Sequence, residues 1–171
     1  RLVLGQTELR NVRIHVSHPA LTDDLAIDLV QASQQQDAEG MLLIRTDAVI
    51  DKRPIKVDGR VGPFHALIAG GAIDYRLDLE APNVSLKASG HFDRLPDPRA
   101  PRMNLDLFAA DAADVLRALE LPELTTGNIE LHAGITPAGD RLDGTLAGNF
   151  GEFKLDGKLT TKSIASLADF S

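Results

Sequence analysis

The sequence contains no cysteine and no tryptophan, one tyrosine and six phenylalanines. Without Cys there is no thiol nucleophile, no thiolate metal site and no disulfide framework; zero Cys is compatible with an oxidising compartment and with a reducing one. The shortage of aromatics bears on the fold. A compact two-layer protein of 171 residues ordinarily fills the space between its layers with large rings. A transmembrane β-barrel needs aromatic girdles at both interfaces, and one Tyr with no Trp cannot build them.

No run approaches the roughly 18 consecutive apolar residues of a spanning helix. No stretch of this sequence reads as a signal peptide, and the first residue is Arg1. Both ends read as strand, so a segment of a longer protein is expected. Basic excess is also missing: 18 Lys and Arg stand against 25 Asp and Glu, a net charge of −7. A basic stripe of the kind that binds nucleic acid is therefore not expected, nor is attraction of the whole chain to an anionic membrane surface.

Catalytic constellations are missing too. The five histidines, His15, His18, His65, His91 and His132, include no pair four residues apart and no H-E-x-x-H. The adjacent carboxylates Asp23 and Asp24 would point to opposite faces of a strand, which is poor geometry for acid–base work. No G-x-S-x-G, P-loop or G-x-G-x-x-G occurs. The expectation is a non-enzymatic protein with no cofactor and no metal.

What the chain does have is alternation of apolar and polar residues with a period of two, the mark of a half-buried strand. Val12, Ile14 and Val16 alternate with Arg13 and His15; Leu25, Ile27 and Leu29 follow, then Leu42, Ile44, Ala48 and Ile50. Further alternating sets are Ile55, Val57, Gly59 and Val61; Ile73, Tyr75, Leu77 and Leu79; and Val84, Leu86, Ala88 and Gly90. Leu105 and Leu107 begin another, and Ile129, Leu131, Ala133 and Ile135 a further one. "RLDGTLAGNFGEFKLDGKLTT" (Arg141 to Thr161) supplies two more. About ten strands of roughly seven to eleven residues are expected, long against the usual five or six.

The connectors Asp51-Lys52-Arg53-Pro54, Ala81-Pro82-Asn83 and Pro137-Ala138-Gly139-Asp140 are short and turn-rich. Short connectors between long strands imply an antiparallel meander. "RLPDPRAPR" (Arg94 to Arg102) reads as a proline-rich loop outside any ladder.

Two short helices interrupt the strands. "PFHALIAGG" has Pro63 in a first-turn position and Gly70-Gly71 as its stop. "DAADVLRALELP" has Asp111 as N-cap, an apolar face of Ala112, Val115, Leu116 and Leu119, and Pro122 as its end. A strand, a helix and further strands recur from Ile55 and again from Met103, giving approximate units 1–54, 55–102 and 103–171 of one elongated segment.

Four stretches carry a family resemblance: "ELRNVRIHV", "KRPIKVDGRVGPFHALIAGGAIDYRLDLEAPNVSLKASGHF", "MNLDLFAADAADVLRALELPEL" and "GDRLDGTLAGNFGEFKLDGKL". Together they resemble the periplasmic repeats of the AsmA-like envelope proteins, a group to which TamB is more distantly related. The closing "SIASLADF" is similar to the lead-in of another unit. The resemblance implies a long curved sheet like a half-pipe, in a periplasmic protein anchored to the inner membrane. It implies an apolar concave surface that binds phospholipid acyl chains and supports lipid movement toward the outer membrane. It also implies a role in outer-membrane assembly, with neighbouring repeats of the same chain and outer-membrane assembly proteins as partners. It brings no catalytic residues.

Under this reading the apolar-phase residues line a lipid groove: Ile55, Val57, Val61, Ile73, Tyr75, Leu77, Leu79, Val84, Leu86, Leu105, Leu107, Ile129, Leu131, Ile135, Leu142, Leu146, Phe150, Phe153, Leu155 and Leu159. Gly144, Gly148 and Gly157 fall in the same phase as the leucines around them, where they would supply curvature and clearance. The alternative is a β-sandwich scaffold, in which the same alternation buries one sheet on another and glycines mark bulges. An open sheet would also leave edge strands free for edge-to-edge pairing between copies.

Overall fold

The computed structural model describes residues 5–16, 25–50, 52–93, 101–118, 126–139 and 141–161. The ten strands are β1 (Thr7–Val16), β2 (Leu25–Gln36), β3 (Leu42–Ile50), β4 (Arg53–Gly62), β5 (Ile73–Ala81), β6 (Val84–Phe92), β7 (Pro101–Ala109), β8 (Ile129–Ala138), β9 (Arg141–Phe150) and β10 (Phe153–Thr161). Two helices, α1 (Phe64–Ala69) and α2 (Ala112–Ala118), follow β4 and β7. All ten strands form one sheet in sequence order, every neighbour antiparallel. The sheet is not closed: β1 and β10 each have one strand partner among the described residues. At about 4.8 Å per spacing, the sheet runs roughly 43 Å from β1 to β10.

The hydrophobic pattern sets the register, because a slip of one residue would turn every apolar side chain to the wrong face. Apolar-phase residues pair with apolar-phase residues along the whole meander. One row reads Leu9, Ala32, Thr46, Val57, Leu79, Leu86, Leu107, Leu131, Gly148, Leu155 across all ten strands. The other face is polar and carries paired charges, among them Arg45 with Asp58 at 2.8 Å and Arg13 with Asp28. The two-sheet alternative is not the architecture: the described strands make one layer. The chain exposes 11976 Å², against about 8,200 Å² expected for a compact protein of this mass.

The helices close the two ends of the apolar face. Three strands separate the β4–α1 junction from the β7–α2 junction, and strand direction reverses at each step, so α1 and α2 lie at opposite ends of the strands. In α1 the inward residue is Ala66, and Gly70 ends the helix at φ 71°, where glycine carries no Cβ penalty. Pro63 is the N-cap, in extended conformation, one position earlier than expected. In α2 the Asp111 carboxylate accepts from the Ala113 N–H at 2.9 Å, the expected N-cap bond. Ala109, Ala112 and Ile129 are fully buried there, with Val84, Leu107, Val115, Leu131 and Phe150 packed around them. Leu116 is also buried. Leu119 and Pro122, assigned to this helix from sequence, lie outside the described residues, as do Asp23, Asp24, His18 and the "SIASLADF" segment.

Several boundaries differ from expectation. Pro101 and Arg102 are not loop: they open β7 and pair with Phe92 and His91. Proline can accept in a ladder without donating, which suffices at the first residue of a strand. Arg53, Pro54, Ala81, Pro137 and Ala138 are strand residues, which shortens the connectors. Asn83, with φ 63°, follows Pro82 in a two-residue turn. β4 and β7 each begin two residues before the unit boundaries drawn from sequence. β2 continues seven residues past Leu29, through "VQASQQQ". A bulge at Val30 shifts the β2–β3 register, and Asn11, with φ 53°, stands opposite it in β1. This pair of irregularities keeps Leu9 and Val12, and Leu29 and Ala32, on one face.

Candidate lipid-binding face

Every residue assigned from sequence to the groove lies on the apolar face. The register brings Ile55, Val57, Val61, Ile73, Tyr75, Leu77, Leu79, Val84 and Leu86 together across β4–β6. Leu105, Leu107, Ile129, Leu131, Ile135, Leu142, Leu146, Phe150, Phe153, Leu155 and Leu159 continue that face across β7–β10. The residues are not equally accessible. Ile73 and Ile129 are sealed at the two ends of the strands, whereas Leu77, Leu105 and Leu146, in the middle, remain 36%, 36% and 39% exposed. The accessible part of the face therefore comprises a central band away from the sealed residues and the β10 edge, where Phe153 and Leu159 are 56% and 67% exposed.

Within this band large and small residues alternate from strand to strand. One row reads Gly59, Leu77, Ala88, Leu105, Ala133, Leu146, Gly157. At its β8–β10 end lies an open depression of about 330 Å³, lined by Ala133, Ile135, Gly144, Leu146, Gly157 and Leu159 among others. The three glycines singled out from sequence are not equivalent. Nothing stands within 4 Å of a Cβ built on Gly157, so that position is empty space. A Cβ on Gly144 would lie 3.5 Å from that of Leu159, an ordinary contact. Gly148 has φ 138°, and a Cβ there would run into the Glu130 carbonyl.

Tyr75 is the one aromatic hydroxyl of the chain. Its ring stacks on Phe92, centroids 5.5 Å apart, and lies over Gly90, whose missing side chain makes the room: a Cβ there would come within 2.6 Å of the ring. Burial pushes the phenol pKa up. Its oxygen is buried with no hydrogen-bond partner.

The opposite face has the larger depression, about 400 Å³, over β1–β5. Its guanidinium groups are already engaged: Arg45 with Asp58 at 2.8 Å, Arg76 with Asp78 at 3.1 Å, and Arg60 with Asp37 at 2.9 Å and Glu39 at 2.5 Å. Hydrogen bonding to these acids raises the pKa of Arg45 and Arg60 further. The charges neutralise one another and leave no excess for an anion.

Asp37 also organises the β2–β3 turn, accepting from the N–H groups of Glu39 and Met41 at 2.9 Å each. Burial opposes its charge, but these N–H groups and Arg60 outweigh it and hold the carboxyl below its usual range. His91 contacts Asp74 at 2.7 Å and Asp93 at 3.1 Å, and His132 contacts Asp106 at 2.7 Å. Both histidines occupy the polar face, as their phase predicts. Among the described residues, no group of His, Asp and Glu is arranged to hold a metal ion, and no helix is long and apolar enough to cross a membrane. No family model matches the chain, and no curated protein and no solved structure matches it.

Proposed function

We propose that the apolar face binds the acyl chains of phospholipid, and that the chain is a non-enzymatic lipid-carrying element of a bacterial envelope. The observation that carries this reading is the uncovered central band, where Leu77, Leu105 and Leu146 stand half-exposed in one row of an apolar sheet face. A contiguous exposed apolar surface is costly in water and marks an interaction site. An acyl chain suits it physically. It is slender and tolerates an uneven wall, and each CH₂ removed from water contributes about 0.8 kcal/mol. Contact of this kind has no directional bonds, so the ligand slides along the face without breaking any.

The AsmA-like resemblance gives this reading its setting: a periplasmic location, anchorage of a longer protein to the inner membrane, and lipid passage between the two membranes. The free edges of β1 and β10 would pair with neighbouring repeats, extending the same face, or with another copy of this chain. Outer-membrane assembly proteins are the partners the resemblance adds.

The test is lipid analysis of protein purified without detergent. Organic extraction and native mass spectrometry are expected to find bound phospholipid, and stripped protein is expected to take lipid up again from phosphatidylglycerol and phosphatidylethanolamine vesicles. Protein that neither carries phospholipid nor acquires it would overturn the reading.

A further inference from the structure

The apolar face changes character along its length. Across β4–β10 its interior positions carry one hydrogen-bonding side chain, Tyr75. Across β1–β3 the same rows pass through Thr7, Gln34, Gln36 and Thr46. Gln34 lies between Thr7 and Ile44, and Thr46 between Ala32 and Val57. These polar groups are all neutral. Of the guanidinium groups of β3 and β4, Arg45 and Arg60 point to the other face and are held there by Asp58, Asp37 and Glu39, whereas Arg53 is in apolar phase opposite Ile50, six residues along β3 from the Ile44 that faces Gln34.

The two glutamines differ. The Gln36 amide donates to the Gly40 carbonyl at 3.2 Å. The Gln34 Nε2 is buried and has no partner. A buried amide donor without an acceptor is costly, and the cost disappears when an acceptor is supplied. The Gln34 side chain as a whole is only half-buried, so a turn of its amide brings the donor to an acceptor docked on the face.

We propose that the β1–β3 end of the face is a head-group end. The ester carbonyl of a diacyl glycerolipid accepts the hydrogen bond of Gln34, among Thr7 and Thr46, and the acyl chains run from there across β4–β7. A neutral ester fits this end better than a carboxylate or phosphate, because among the described residues no cation stands in the rows of Gln34 and Thr46 on this face. The inference rests on the lipid-binding reading above and adds an orientation and a chemical preference to it.

The experiment uses phosphatidylcholine carrying a nitroxide on one acyl chain, either near the ester or near the terminal methyl, bound to isotope-labelled protein. The ester-proximal label is expected to broaden the backbone amide signals of Gln34 and Thr46, and the methyl-proximal label those of Leu86 and Leu105. Equal broadening along the sheet from both labels, or the reverse order, would overturn the orientation.

A second arm compares diester phosphatidylcholine with its diether analogue, which lacks the carbonyls. Wild-type protein is expected to prefer the diester by about three- to tenfold, the size of one net hydrogen bond. Gln34→Leu is expected to abolish the preference, with a circular dichroism spectrum and urea midpoint that report a folded variant. No preference in the wild type, or palmitate binding more tightly than the diester, would overturn the ester assignment. If no lipid probe binds at all, the functional reading itself fails; binding without orientation or preference defeats this inference alone.

Discussion

Gly157 lies directly opposite Leu146 in the β9–β10 ladder, and the space its side chain would occupy is empty. A leucine faced by Ala133 on one side and by glycine on the other leaves a notch on the face rather than a flaw in a core. Gly157 is also outside the left-handed φ region, so its backbone accepts a side chain. Filling the notch separates stability from binding. Gly157→Leu should fold, and should gain up to about 1 kcal/mol in urea denaturation because leucine packs on a strand where glycine cannot. The same variant should carry less phospholipid by native mass spectrometry. Unchanged lipid content would remove Gly157 from the binding surface.

Gly148 predicts the opposite. Its φ of 138° is closed to ordinary side chains, and the β8 backbone at Glu130 and Leu131 fills the space beside it. Gly148→Ala should cost about 1–3 kcal/mol, the usual range for strain at such a position, read as a lower urea midpoint. A neutral result would mean that the β8–β9 register relaxes around the added methyl group.

The contrast between these glycines marks where sequence reading stops. Both sit in apolar phase beside leucines, and phase is all a sequence provides. What divides them is a carbonyl some twenty residues away, brought alongside by pairing. The meander itself was legible, because period-2 alternation with short connectors leaves few other arrangements, and strict phase also fixed which face each lining residue would share. The second half of β2 was not legible: "VQASQQQ" has no alternation, and its strand state depends on pairing with β1 and β3 and on the irregularity at Asn11 and Val30. Gln34 escaped for a related reason, since a search for apolar lining passes over a polar residue on the apolar face. Pro101 was read as an exclusion from the ladder, although the first residue of a strand needs no donor.

The division between sealed ends and open band is also testable. Ile129 has no exposed surface and sits beneath α2 with Ala109 and Ala112. Ile129→Ala should cost about 2–5 kcal/mol, because little around it can collapse into the cavity. Leu146 is 39% exposed on the same face. Leu146→Asp should lower the urea midpoint far less, since the carboxylate reaches water, while reducing lipid uptake. Unfolding by Leu146→Asp would mean that another layer covers this part of the sheet.

The polar face predicts a dependence on pH. Hydrogen bonding to Asp74 raises the pKa of His91, with Asp93 adding to it, and hydrogen bonding to Asp106 does the same for His132, with Glu130 adding. In the unfolded chain both should titrate near 6.5. The folded state holds their protons more tightly, so this stabilisation is complete below about pH 6.5 and is lost as the pH rises through the raised values. Asp37 acts at the other end. Its carboxyl is held below the ordinary range, so its contribution is present above about pH 4 and is lost as the pH falls through the folded value. Stability should therefore pass through a maximum in mildly acidic solution. Urea midpoints measured across this range, with an NMR titration of the imidazole signals, should locate the alkaline decline at the histidines. Replacing both, His91→Gln with His132→Gln, should flatten that decline and leave the acid side unchanged. A decline that persists in the double variant would place the responsible groups elsewhere.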